Sequence, residues 1–91
     1  MTFRIDRHDS GDTVVLRLIG NMRVEDIREV KTEVDESSSQ VVLDVGELTL
    51  VGVEGIRFLN ACKDVGGGII NASPYVLEWM HLERDSGPAR G

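Results

Sequence analysis

The run Leu43-Asp44-Val45-Gly46-Glu47-Leu48-Thr49-Leu50-Val51-Gly52-Val53-Glu54-Gly55-Ile56-Arg57-Phe58-Leu59 decides how the rest of the chain is read. With Val41 and Val42 before it, its first part is apolar on both strand faces until Asp44, as expected of a central strand. Gly46-Glu47 reads as a turn, and Leu48, Leu50 and Val51 as a second short apolar rise. A helix mouth follows at Glu54-Gly55. From Gly55 to about Val65, the residues Ile56, Leu59 and Cys62 recur at helical spacing, with Phe58 and Val65 beside them, and supply a core face. Gly66-Gly67-Gly68 stops that helix. No Lys-Ser/Thr follows the triplet and no helix starts there, so it is a helix cap and not a phosphate cradle.

The strand-then-helix unit recurs on the C-terminal side. Ile69-Ile70-Asn71 is a short parallel strand. Ser73-Pro74 is a helix start, with Ser as N-cap and Pro at the first helical position. The last helix carries the i,i+4 pairs Val76/Met80 and Tyr75/Trp79 and ends near Glu83 or Arg84. Tyr75, Trp79 and Met80 serve either the core or an exposed contact. Their size, in a chain with few aromatics, favours the core.

On the N-terminal side, Phe3 and Ile5 alternate with Arg4 and Asp6, as in an edge strand with a charged outer face. Asp9-Ser10-Gly11-Asp12 is a turn. In the strand Thr13 to Ile19, Val14, Leu16 and Leu18 share one face, and Val15, Arg17 and Ile19 the other. The two strands form an antiparallel hairpin. Gly20-Asn21 breaks the second strand. A helix from about Arg23 to Glu36 carries the stripe Val24, Ile27, Val30 and Val34. Glu25 and Arg28 are spaced to pair on its surface, and Ser37-Ser38-Ser39 closes it as a polar loop. The expected fold is α/β: a four-stranded mixed sheet with an antiparallel first strand and three packed helices, joined by right-handed crossovers. Residues 1–85 form the single domain and 86–91 a tail.

The bulk numbers agree with one small domain of 91 residues. Aromatics are 4% of the chain, so Val, Ile and Leu build the core, which suggests strands buried on both faces. A net charge of −6 opposes phosphate backbones, and nucleic acid is excluded as a partner. No apolar run reaches the length of a membrane span, and Met1-Thr2-Phe3-Arg4 lacks an apolar signal region, so the expected location is the cytoplasm without direct membrane insertion. One cysteine forms no internal disulfide.

Chemistry-bearing residues are sparse. His8, His81 and Cys62 have no ligand spacing between them, so no metal site is expected. Cys62 on an apolar stripe is a small buried hydrophobe, and a Cys62–His81 pair has nothing to support it. Asp44 sits where ligands of open α/β sheets collect, yet a single Asp there also caps turns. Asp44, Glu47 and Glu54 stand as a carboxylate cluster near one edge of the sheet. They lack a nucleophile, an oxyanion donor or a cofactor motif, so neither catalytic residues nor a cofactor are expected.

In order and separation, Thr13–Gly20, Val41–Leu50, the helix mouth Val53-Glu54-Gly55-Ile56 and Ser73-Pro74 resemble the STAS domain family, named for sulphate transporters and anti-sigma factor antagonists. The resemblance spans about Phe3 to Glu83. Members carry Asp-Ser-Ser-Gly or Asp-Ser-Thr-Gly at this mouth, and the Ser or Thr before Gly is the phosphorylation site. A kinase that is also the anti-sigma factor modifies it and so ends the interaction. Here the matching run is Gly52-Val53-Glu54-Gly55. Gly55 matches the family glycine and Glu54 falls on the phosphorylated position, while Gly52 and Val53 replace Asp and Ser.

The resemblance implies a bacterial signalling module that binds a regulatory protein, an anti-sigma factor or a related kinase. Val51, Gly52, Val53, Glu54, Gly55, Arg57 and Phe58 would form its contact surface, and there would be no switch at the usual site. It also admits a cytoplasmic STAS subunit that regulates an ABC-type membrane transporter. A third expectation, of a different class, is a small enzyme or nucleotide binder using Asp44 and Glu54 at the sheet edge. Glu54 places a permanent negative charge at a helix mouth, where a phosphoserine would carry about −1.5 to −2. That charge either mimics the modified state and refuses a kinase, or meets a basic residue on a partner, or only favours the helix start.

Overall fold

A computed structural model of the chain describes residues 2–37 and 39–85. The elements run β1 (Phe3–Ser10), β2 (Thr13–Met22), α1 (Val24–Glu36), β3 (Gln40–Val51), α2 (Val53–Asp64), β4 (Gly68–Ile70) and α3 (Pro74–Asp85). The sheet order is β1-β2-β3-β4, with β1 antiparallel to β2 and the other pairs parallel. The α/β class, the mixed four-stranded sheet with its antiparallel first strand and the three helices are as expected from the sequence. The tail 86–91 and Ser38 lie outside the described residues.

The sheet is buried on one face only, which corrects the expectation of burial on both. β2, β3 and β4 lie side by side in chain order, and right-handed crossovers between strands taken in that order place their helices on the same side. Val14, Leu16, Leu18, Val41, Leu43 and Val45 from the sheet meet Val30 of α1, Ile56 and Leu59 of α2, and Val76 and Met80 of α3 in one core. Val15, Ile19 and Val42 face the other way and are only half-buried, and Ile70 is exposed.

Two strands are longer than their glycines suggest. Gly20-Asn21 does not end β2, and Gly46-Glu47 is not a turn in β3. Both segments instead sit in register shifts between these strands, where β3 carries an extra residue. Gly20 has a φ of 100°, and a Cβ there would lie 2.1 Å from the Thr2 carbonyl oxygen. Only glycine allows this conformation and this approach together. β1 likewise runs four residues past Asp6, up to a two-residue turn at Gly11-Asp12.

The helices keep most of their expected faces. In α1, Val30 is buried, but Val24 is 57% exposed because it is the first residue of the helix, beyond the edge of the core. The Arg23 side chain pairs with Glu25 and Asp26, in place of the expected Glu25–Arg28 pair. Val65 is 83% exposed because it lies past the end of α2, at the C-cap. Gly66, with a φ of 94°, donates to Lys63 O, and Gly67 donates to Cys62 O at 2.9 Å. This is the Schellman closure that a glycine in the left-handed region provides.

β4 begins at Gly68, and Asn71 lies outside it. Ser73 caps α3 as read from the sequence: its hydroxyl accepts the Val76 N–H at 3.3 Å, and its carbonyl accepts that of Leu77 at 2.9 Å. On α3, Met80 is core, Trp79 packs at its margin, and Tyr75 is 61% exposed with its ring against Trp79. Buried Asn60 of α2 donates to Met80 O at 3.1 Å and ties the last two helices together.

Candidate functional site

β2 and β3 run parallel and end side by side, with Met22 opposite Val51. Each strand feeds a helix almost at once, so the mouths of α1 and α2 open next to each other. Between them lies a groove of about 510 Å³, lined by Asn21, Met22, Arg23, Val24, Ile27 and Leu50 together with Val51, Gly52, Val53, Glu54 and Gly55. Its floor is apolar: Met22 and Val51 are buried, and Leu50 is 55% exposed at the rim. The carboxyl ends of parallel strands are where α/β folds hold their ligands.

The two mouths are finished differently. At α1, the Asp26 carboxylate turns back to accept the Arg23 backbone N–H at 2.9 Å and the Arg23 Nε at 3.3 Å, and Asp26 itself is buried. At α2 the N-cap is Gly52, which brings no side chain to the first-turn N–H groups. Helix α2 starts at Val53, two residues before the expected start at Gly55, with Val53 and Glu54 in its first turn. Gly52 is extended, with φ −94° and ψ −176°, as any N-cap residue can be. Glu54 is exposed and adds its charge to the positive end of the helix. Gly55 is buried, and a Cβ there would lie 2.4 Å from Val51 Cγ2, so the first turn of α2 rests directly on the end of β3.

Five of the seven residues expected to bind a partner meet in this groove: Val51, Gly52, Val53, Glu54 and Gly55. Arg57 and Phe58 do not line it. Arg57 reaches across to Glu83 of α3 at 3.1 Å, and Phe58 packs against the core. The wall contributed by Asn21, Met22, Arg23, Val24 and Ile27 was missed, as was Leu50 at the rim. Its signal was present in the parallel pairing of β2 with β3, which brings the start of α1 beside the start of α2.

The other candidates are dispersed. Asp44 is not at a strand end but midway along β3, where Oδ1 accepts the Gly46 N–H at 3.0 Å and steadies the register shift. Asp44 and Glu47 both approach Arg17, each at 3.9 Å. Glu54 lines the groove at the strand ends and Asp44 a separate hollow on the open sheet face, so the expected carboxylate cluster is not formed.

Cys62 lines a separate cavity of about 210 Å³ with Val34, Val41 and Leu43, and burial pushes its thiol pKa up. His81 lies in a different small hollow beside Asn60 and Lys63. Among the described residues no group of three or more His, Cys, Asp or Glu side chains is placed to hold a metal ion. Among the same residues no helix is long and apolar enough to cross a membrane. Compared with known proteins, the chain matches no protein-family model and no curated protein sequence.

Proposed function

We propose that the chain is a non-enzymatic protein–protein interaction module of the anti-sigma factor antagonist kind, docking a cytoplasmic regulatory protein through the groove between α1 and α2. The observation that supports this reading best is the groove itself. It is an open, apolar-floored concavity at the strand ends, with first-turn N–H groups that Gly52 leaves without a side-chain cap and the Glu54 carboxylate at its rim. Apolar anchoring at the centre with polar groups around it is the usual anatomy of a protein interface. No hydroxyl stands at the mouth of α2, so the surface is constitutive there and is not switched by phosphorylation.

The test is affinity capture from the native lysate with wild type and Glu54→Lys in parallel, with captured proteins identified by mass spectrometry. Reversing the charge should abolish capture of an anti-sigma factor or related kinase, while stability falls by about 1 kcal/mol or less. Equal capture by both forms would reduce Glu54 to a helix-start residue. A transport ATPase or permease as the captured protein would replace this reading with that of a transporter subunit. Phosphate found on Thr49 or Ser73 after incubation with the captured kinase would mean that the switch has moved to another hydroxyl.

A further inference from the structure

Among the described residues, β1 is the end strand of the sheet and is bonded on one side only, to β2. Its odd and even residues have different duties. Ser10 and Thr13 lie opposite each other across the two-residue turn Gly11-Asp12, the arrangement of a hydrogen-bonded closing pair in a two-residue hairpin. Antiparallel pairing alternates from there, so Ser10, His8, Asp6 and Arg4 turn their backbone groups towards β2. The Asn21 N–H, 3.4 Å from Thr2 O, continues the same even-numbered series. Phe3, Ile5, Arg7 and Asp9 therefore aim their N–H and C=O groups away from the sheet, along the free edge.

Such an edge is a template for another strand, and proteins usually guard it with charge. Here Arg4, Asp6, Arg7, His8 and Asp9 are exposed on eight-residue β1. We propose that this guard selects a single partner, the β1 strand of a second copy, in one antiparallel register with Ile5 on the two-fold axis.

The choice of register follows from charge. A two-fold axis perpendicular to the sheet keeps both helix layers on the same side, so it pairs residues of like parity. With Ile5 on the axis, Arg4 of each copy faces Asp6 of the other, Phe3 faces Arg7, and the two Ile5 side chains meet. Phe3 and Ile5, only half-buried at the rim of the core, are covered in this arrangement. With Asp6 on the axis, Asp6 faces Asp6 and Arg4 faces His8. With Arg7 on the axis, Arg7 faces Arg7. With His8 on the axis, Arg7 faces Asp9, but the pairing runs into the Gly11 turn and leaves Phe3 and Ile5 uncovered. Within one copy Arg4 and Asp6 are 3.7 Å apart and mostly exposed, so the pair is free to be shared across the seam.

Sedimentation velocity over a concentration series at low salt tests the proposal on wild type, Arg4→Asp, Asp6→Arg and the double exchange Arg4→Asp/Asp6→Arg. Wild type should self-associate. Each single variant reverses two cross-strand pairs and should weaken association on the order of tenfold or more. The double exchange should restore it to within a few-fold. Far-UV circular dichroism checks that the hairpin survives, since Asp6 also lies opposite Arg17, which keeps Asp44 and Glu47. The proposal is overturned if wild type stays monomeric at millimolar concentration, if all four proteins associate equally, or if the double exchange is as weak as the singles.

Discussion

Gly55→Ala sets two opposing effects against each other at the mouth of α2. Alanine is the better helix former by up to about 1 kcal/mol, and Gly55 lies in the first helical turn. Against this, the new methyl group would lie 2.4 Å from Val51 Cγ2 and 3.1 Å from Met22 Cε. The methionine methyl ends a flexible chain and moves aside cheaply. Val51 does not: it has one stiff torsion and is only 7% exposed, so its Cγ2 can retreat only by moving the strand end or the helix. Overpacking of this kind costs about 1–3 kcal/mol, which outweighs the gain in helix propensity and leaves a net loss of about 1–2 kcal/mol. For a domain of this size that is a fall of roughly 4–16 °C in melting temperature.

Urea unfolding followed by the fluorescence of Trp79, the one tryptophan in the chain, measures the effect. A double-mutant cycle with Val51→Ala then locates it. Val51→Ala alone should destabilise by leaving a cavity, and the added methyl of Gly55→Ala should partly fill that space. The two changes should therefore be less damaging together than their sum, by about 1 kcal/mol or more. A rise in stability for Gly55→Ala, or strictly additive losses, would refute the claim that α2 rests on β3 through this glycine.

Gly20→Ala should cost about 3 kcal/mol or more in the same urea assay, since it combines a left-handed φ with a clash against the Thr2 carbonyl. Gly52→Ser should raise stability by a few tenths of a kcal/mol, because the site is open and its φ suits an N-cap. On the proposed function it should also weaken partner capture, by occupying first-turn N–H groups that the partner uses. Burial raises the Cys62 thiol pKa in the folded chain, so iodoacetamide should react more slowly with folded than with urea-unfolded protein at pH 8. By linkage, the stability tied to the neutral thiol is complete below the unfolded pKa. It is lost as pH rises towards the raised folded value, a slope that Cys62→Ala should remove.

Local chemistry was read well wherever a residue acts on its immediate neighbours. Ser73-Pro74 starts a helix, Gly66-Gly67 ends one, and Gly11 turns a hairpin, each by a rule that needs only a few residues of sequence. Glycine was misread where its partner is distant. Gly20 and Gly46 look like breaks within their own segments. Gly20 instead admits the Thr2 carbonyl, and Gly46 satisfies Asp44 at a register shift between two long strands. Val24 and Val65 fit their helical stripes, yet stand beyond the ends of the core. Periodicity gives the face of a helix but not how far along it the neighbouring layer extends.

The candidate site was half legible for the same reason. One wall comes from a single contiguous run, Leu50 to Gly55, and a helix mouth within it is visible from sequence. The other wall, Asn21 to Ile27, joins it only because β2 and β3 are parallel neighbours ending together. Strand order explains both this and the bare outer face. Sequential parallel strands with right-handed crossovers stack their helices on one side and line up their helix mouths along one edge. Of the mouths of α1 and α2, one is closed by Asp26 and the other has only Gly52. The concave, apolar and incompletely capped part of that edge therefore falls at α2, beside a carboxylate that no kinase can add or remove. On the proposed reading, regulation of this surface would have to act from outside the groove, because the groove itself holds no hydroxyl-bearing side chain to modify.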